Sequence, residues 1–143
     1  MTLKNLLEQI SQLAINEKII NCSMAGTSLY QINPREIDSY PVLFSSPTGE
    51  HRVEEMTTTF EVSLFYFDRL LEDSSNDIDI YSASIEELKN LVKKIEGLDG
   101  VLKVNDGYNI ICFSDTENFN DRLAGCYTQV EIVTDNKWNC SVD

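Results

Sequence analysis

Residues 56–98 read MTTTFEVSLFYFDRLLEDSSNDIDIYSASIEELKNLVKKIEGL, and this stretch decides the fold. Its first part alternates: Met56, Thr58, Phe60, Val62, Leu64 and Tyr66 share one face, and Thr57, Thr59, Glu61 and Ser63 share the other. Together with Val53 just upstream, that period of two predicts a half-buried strand over 53–67, long enough to be the spine of a sheet. Phe65 and Phe67 make the second face apolar near the strand's end, which predicts cover on both sides there, with helices as the expected cover. After an acidic loop at 72–76, Tyr81, Ile85, Leu88, Leu91, Val92 and Ile95 fall on one helical stripe. Acids lie early in this helix and Lys89, Lys93 and Lys94 late, as the helix dipole favours, and Gly97 supplies a stop signal.

Upstream, Leu3, Leu6, Leu7, Ile10, Leu13 and Ala14 predict an amphipathic helix over residues 2–17 with Thr2 as its cap. Residues 19–32 read as a strand broken at Ala25-Gly26. Pro34, Pro41 and Pro47 deny ladder donors across 33–52, which predicts a long loop with at most a short strand at 40–44. Tyr40, Val42, Leu43 and Phe44 are too apolar to stay in solvent, so they are expected to dock on this subunit or on a neighbour. With Arg52, they are the candidate subunit-contact residues.

Downstream, 101–104 and 108–113 flank Asn105-Asp106-Gly107 and predict a hairpin. A loop over 114–125, a strand over 126–133 and a last strand-like piece at 138–142 complete the pattern. The expected fold is a single α+β domain spanning residues 1–143, with an antiparallel or mixed sheet flanked by two amphipathic helices.

Residues that could do chemistry are each better explained structurally. Counted from Asp73, an EF-hand loop would need glycine where Ile78 stands and glutamate where Ser84 stands, and helix capping by Asn76 or Asp77 accounts for the same residues. His51 sits in a turn with no nucleophile motif nearby, so it reads as a solvated loop side chain. Cys22, Cys112, Cys126 and Cys140 contain no short chelating spacing and read as buried, reduced thiols. The six glycines form no phosphate-cradling loop, and the aromatic residues lack interleaved cations for base stacking. The sequence therefore predicts no catalytic residues, no cofactor and no metal.

Against 24 acidic residues stand 11 basic ones, a formal charge of −13 that repels phosphate backbones. The N-terminal segment is helical in pattern with Lys4, Glu8 and Glu17, unlike a secretion signal, and no apolar run is long enough to span a bilayer. A soluble protein made in the cytoplasm, with no membrane partner, is the expectation.

The N-terminal helix, the strand running into Phe67-Asp68-Arg69-Leu70, and the SSNDIDIYSASIEELKNLV loop and helix carry a family likeness. The closing Asp121-Arg122-Leu123-Ala124-Gly125-Cys126-Tyr127-Thr128-Gln129-Val130-Glu131-Ile132 element, followed by Trp138-Asn139-Cys140, adds to it. In order and patterning the chain resembles the tail-terminator and head-to-tail joining proteins of tailed bacteriophages, including the ring-forming collar proteins of crAss-like phages. The resemblance implies a structural virion protein whose partner is itself, in a closed six- or twelve-fold ring. Adjacent connector, portal or tail proteins would be its neighbours, and DNA would cross its channel without specific binding. An acidic wall would keep a passing genome from sticking. The rival reading from composition is a small acidic immunity or inhibitor protein that binds a basic partner.

Overall fold

The computed structural model describes residues 1–16, 22–26, 40–115 and 122–136. The predicted strand at 138–142, and Cys140 with it, lie outside the described residues, as does the segment 27–39. The described elements are α1 (Leu3–Asn16), β1 (Cys22–Ala25), β2 (Val42–Pro47), β3 (Arg52–Val53) and β4 (Thr57–Arg69). They continue with α2 (Asp77–Ile95), β5 (Val101–Val104), β6 (Ile110–Asp115) and β7 (Leu123–Asp135).

One mixed sheet holds all the strands, in the order β1-β2-β4-β7-β5, with β3 also on β4 and β6 also on β7. Only β1 and β2 run parallel; every other pairing is antiparallel. The expected α+β architecture is therefore present, and its spine is the uninterrupted ladder from Thr57↔Asp135 to Arg69↔Leu123. Because β4 and β5 both run antiparallel to β7, the β4–α2–β5 connection is a crossover that leaves β7 between two parallel strands.

The alternation in β4 places its side chains as expected. Phe60, Val62, Leu64 and Tyr66 are buried together with Val130, Ile132 and Cys126 of β7. Both helices cover this same face. Leu6, Ile10 and Ala14 of α1 and Leu88, Leu91, Val92 and Ile95 of α2 enter one core with these strand residues. Full burial of one such side chain stabilises by about 1.5–3 kcal/mol, so this interface dominates the fold. Thr2 caps α1 as expected, its Oγ1 accepting from Asn5 N–H at 3.1 Å. Asp77 and Asp79 in the first turn of α2 and Lys93 and Lys94 in the last complement its dipole.

Several expectations are corrected. The helices do not cover the second face of β4; there Phe65 and Phe67 join Val42, Phe44, Phe113, Leu123 and Tyr40 in a separate aromatic cluster. The predicted strand over 53–67 begins later, because Val53 belongs to β3 and folds back onto Thr58 through a turn closed by Glu54 N–H to Thr57 O at 2.8 Å. The short strand allowed at 40–44 is present as β2, but it runs over 42–47 and is an interior strand between β1 and β4. Pro47 ends that strand opposite Val62, where a missing donor is tolerated.

The hairpin expected at 101–113 is absent. β5 and β6 lie end to end along one edge of β7, and no residue of 105–107 takes the positive φ that a tight hairpin turn requires. Gly125, expected in a loop, lies inside β7. α2 stops at Ile95, just before Gly97 as expected, and the left-handed turn that follows falls at Gly100, φ 84°.

Candidate functional site

The face of the sheet turned away from the helices has two halves. One is the aromatic cluster, in which Phe65 stacks on Tyr127 at 5.2 Å and meets Phe44 and Phe113 edge-on at 6.1 and 6.0 Å. The other is polar. Thr57, Thr59 and Glu61 of β4 and Gln129, Glu131 and Val133 of β7 floor two adjoining shallow depressions, whose rims carry Glu50, Arg52, Glu54, Asn105 and Tyr108.

Glu61 and Glu131 are cross-strand partners. The backbone of Glu61 turns outward to the β2–β3 connection: its N–H donates to His51 Nδ1 at 3.2 Å, and its carbonyl accepts from Thr48 N–H at 2.9 Å. Glu131 turns the other way, donating to Asn105 Oδ1 at 2.9 Å and accepting from Asn105 N–H at 3.2 Å. The two glutamates therefore form a non-hydrogen-bonded pair, the kind that brings Cα atoms to about 4.5 Å and side chains closest together. Like charges directly opposite destabilise a sheet. Glu61 is partly relieved by Gln129, whose Nε2 donates to Glu61 Oε1 at 2.5 Å. On the rim Arg52 Nε pairs with Glu54 Oε1 at 3.0 Å, both side chains exposed. Among the residues lining this half, four glutamates stand against two cations, Arg52 and Lys103, the latter opposite Val133 and 3.9 Å from Asp106.

Both flanks of the pair are interrupted at the same level. Between Val104↔Ile132 and Ile110↔Thr128 the edge chain advances six residues while β7 advances four. Between Pro47↔Val62 and Arg52↔Thr59 it advances five while β4 advances three. Each flanking chain thus carries two extra residues, and a side chain fills each gap in the ladder: Asn105 on one side, which also donates to Gly107 O at 2.7 Å, and His51 on the other. His51 is exposed as expected, but it has a structural task, and its ring also lies 5.7 Å from that of Phe60.

The candidate contact residues separate. Val42, Leu43 and Phe44 are buried in their own chain, so of the two docking possibilities they take their own subunit. Tyr40 is half-buried under Arg69, whose guanidinium carbon sits 5.0 Å from the ring centroid. Arg52 is exposed on the rim of the acidic half. Only Arg52 and part of Tyr40 are open to another molecule, and the carboxylates around Arg52 are the surface residues that sequence reasoning passed over. Their signal was present in the alternation, which set Glu61 on the face away from the helices.

The acidic loop before α2 is also built differently from the capping expectation. Asn76 makes no side-chain cap; it reaches back instead, Oδ1 accepting from Leu71 N–H at 2.9 Å and Nδ2 donating to Arg69 O at 3.1 Å. Asp77 Oδ1 accepts from Ile78 N–H at 2.6 Å. Arg122 clamps the loop through the carbonyls of Leu71 and Glu72 and through Ser74 Oγ at 3.1 Å, with Ser74 at φ 59°. The Ser75 N–H holds the Asp73 carboxyl below its usual range.

Cys112 and Cys126 are cross-strand partners on β6 and β7, and Cys112 is exposed, contrary to the expectation of a buried thiol. No helix among the described residues is long and apolar enough to cross a membrane. The sequence matches no protein-family model, and no curated protein matches it.

Proposed function

We propose that this chain is a structural subunit of a tailed-phage particle, forming a homo-oligomeric ring at the head-to-tail connector, collar or tail end and extending the DNA channel. The observation that carries the reading is the two-sided sheet. Its helix-covered face closes the core, while the polar half of the other face gathers Glu50, Glu54, Glu61 and Glu131 in excess over two cations, Arg52 and Lys103. A wall of that sign repels phosphate, so DNA slides past it. The overall charge of −13 acts in the same direction.

Exposed apolar side chains at both lateral edges support head-to-tail contact between copies. Val53 lies on β3 at one edge, and Leu102 and Ile111 lie on β5 and β6 at the other. Among the described residues β3 pairs only with β4, and β5 and β6 only with β7. Joining unlike edges is a heterologous contact, which closes into a ring when the rotation per subunit divides the circle.

Native mass and electron microscopy of the purified protein test the reading. A closed six- or twelve-fold ring with Glu61 and Glu131 facing the lumen supports it. A monomer that forms a one-to-one complex with a basic protein through the same carboxylates favours the inhibitor reading instead.

A further inference from the structure

We infer that Cys112 and Cys126 are a thiol pair set to close into a cross-strand disulfide that fastens β6 to β7. The two residues are in direct register, and their sulfurs lie 3.3 Å apart without being bonded. Backbone direction explains the closeness. Glu131 turns its N–H and carbonyl toward the β5–β6 edge, so along the unbroken β7 strand the odd-numbered residues bond that edge and the even-numbered ones bond β4. Cys126 is even-numbered, hence Cys112 faces it across a non-hydrogen-bonded pair, where Cα atoms sit about 4.5 Å apart, inside the range a disulfide spans. No strand has to move for the bond to form.

The environments of the two sulfurs differ. Cys126 is buried, with its Sγ 3.8 Å from the Tyr81 carbonyl of α2, and burial, followed by the neighbouring Cys112, pushes its thiol up to about 12. Cys112 is solvent-exposed. The order of events follows from access and charge, because the thiolate is the nucleophile. With a low-molecular-mass disulfide as oxidant, the Cys112 thiolate attacks one oxidant sulfur, the oxidant S–S bond breaks and one thiolate leaves. Cys126 then loses its proton to solvent and attacks Cys112 Sγ, which expels the second thiolate. Two protein thiols give up two electrons and two protons, and the oxidant becomes two thiols.

The bond would close a loop of about 15 residues containing segment 116–121, removing freedom from the unfolded chain and holding the outer strand to the spine. This inference does not depend on the virion reading, since it needs only the two sulfurs and an oxidant.

The test uses the full chain, reduced and then exposed under native conditions to excess glutathione disulfide, with free thiols blocked by N-ethylmaleimide before tryptic digestion. Cleavage after Arg122 separates the two cysteines, so closure appears as peptide 104–122 linked to peptide 123–137. The linked pair is expected as the main product, with a melting midpoint raised by about 5–10 °C that dithiothreitol reverses. Cys112→Ser, at an exposed position, should fold like the wild type yet show neither the link nor the rise. Under brief native labelling, Cys112 should react before Cys126. The inference is overturned if folded protein leaves both sites separately blocked, if either cysteine links mainly to Cys22 or Cys140, or if the pair joins only after denaturation.

Discussion

Glu61 and Glu131 oppose one another across the two central strands, at the position where facing side chains come closest. Their repulsion is a local cost that a sheet selected for stability alone would not carry. Replacing Glu131 by Gln is expected to raise stability at neutral pH by about 0.5 kcal/mol, with the gain shrinking at high salt. Urea denaturation at two ionic strengths measures it, and a loss of stability would show that Glu131 makes a favourable contact instead.

Gly125 permits the aromatic cluster to exist. A Cβ at this position would strike the Tyr66 carbonyl and come within 2.6 Å of Phe67 Cα, while Phe67 and Phe113, its two register partners, approach to 6.5 Å between ring centroids. Gly125→Ala is expected to cost about 3 kcal/mol, near the upper end for overpacking a core. Gly107→Ala is the matched control, because a Cβ there meets nothing within 4 Å, and thermal unfolding of the two variants should differ sharply.

Asn105 substitutes for a missing stretch of ladder at the β5–β6 interruption. Asn105→Ala removes an acceptor from Glu131 N–H and a donor to Gly107 O, and should cost about 1–2 kcal/mol. Amide hydrogen exchange should localise the effect to residues 101–115. Uniform destabilisation with no gain in exchange there would contradict this role.

Ser45 is wholly buried, and among the described residues its hydroxyl has no hydrogen-bond partner. An unsatisfied buried donor is a penalty that truncation relieves, so Ser45→Ala should stabilise by about 1 kcal/mol, read from the denaturation midpoint. Destabilisation would mean that the hydroxyl is satisfied in solution.

Tyr66, buried on the helix side and close to Glu87 and Asp68, has its phenol pushed up from 10.0 to about 12, mainly by burial. The folded state holds this proton more tightly than the unfolded state does. Its contribution to stability is therefore complete below pH 10 and declines as the pH rises through about 12. In a phenolate absorbance titration one of the six tyrosines should ionise late, and Tyr66→Phe should remove that late step.

Elements whose faces are set by their own period were readable in the chain: the alternation of β4, the two helical stripes, the Thr2 cap, and the charges at the ends of α2. Each of these depends on neighbours a few residues away. The misreadings came where a distant partner decided the outcome. Asn105-Asp106-Gly107 carries turn residues, yet the free backbone of Glu131 draws Asn105 into a ladder gap, and a hairpin signal becomes an interruption in an edge strand. Prolines on both sides of 42–46 suggested a loop with at most a short strand, but burial between β1 and β4 outweighs the lost donors and makes that strand interior. Gly125 reads as a turn until Phe67 is known to lie against it. The acidic half of the face was in view as alternation, but the pairing of Glu61 with Glu131 and of Cys112 with Cys126 depends on register, which no local pattern specifies.

The paired interruptions beside Glu61 and Glu131 have a consequence for how copies of the chain can meet. A long flat edge is a template that any extended strand can extend without limit, which is how fibrils grow. Here the edge on the β7 side is cut into two short runs, of four and six residues, with the alignment broken between them. A docking strand can pair with one run only, and in few alignments. Growth by indefinite stacking is thereby disfavoured, while an assembly with a fixed number of members remains open.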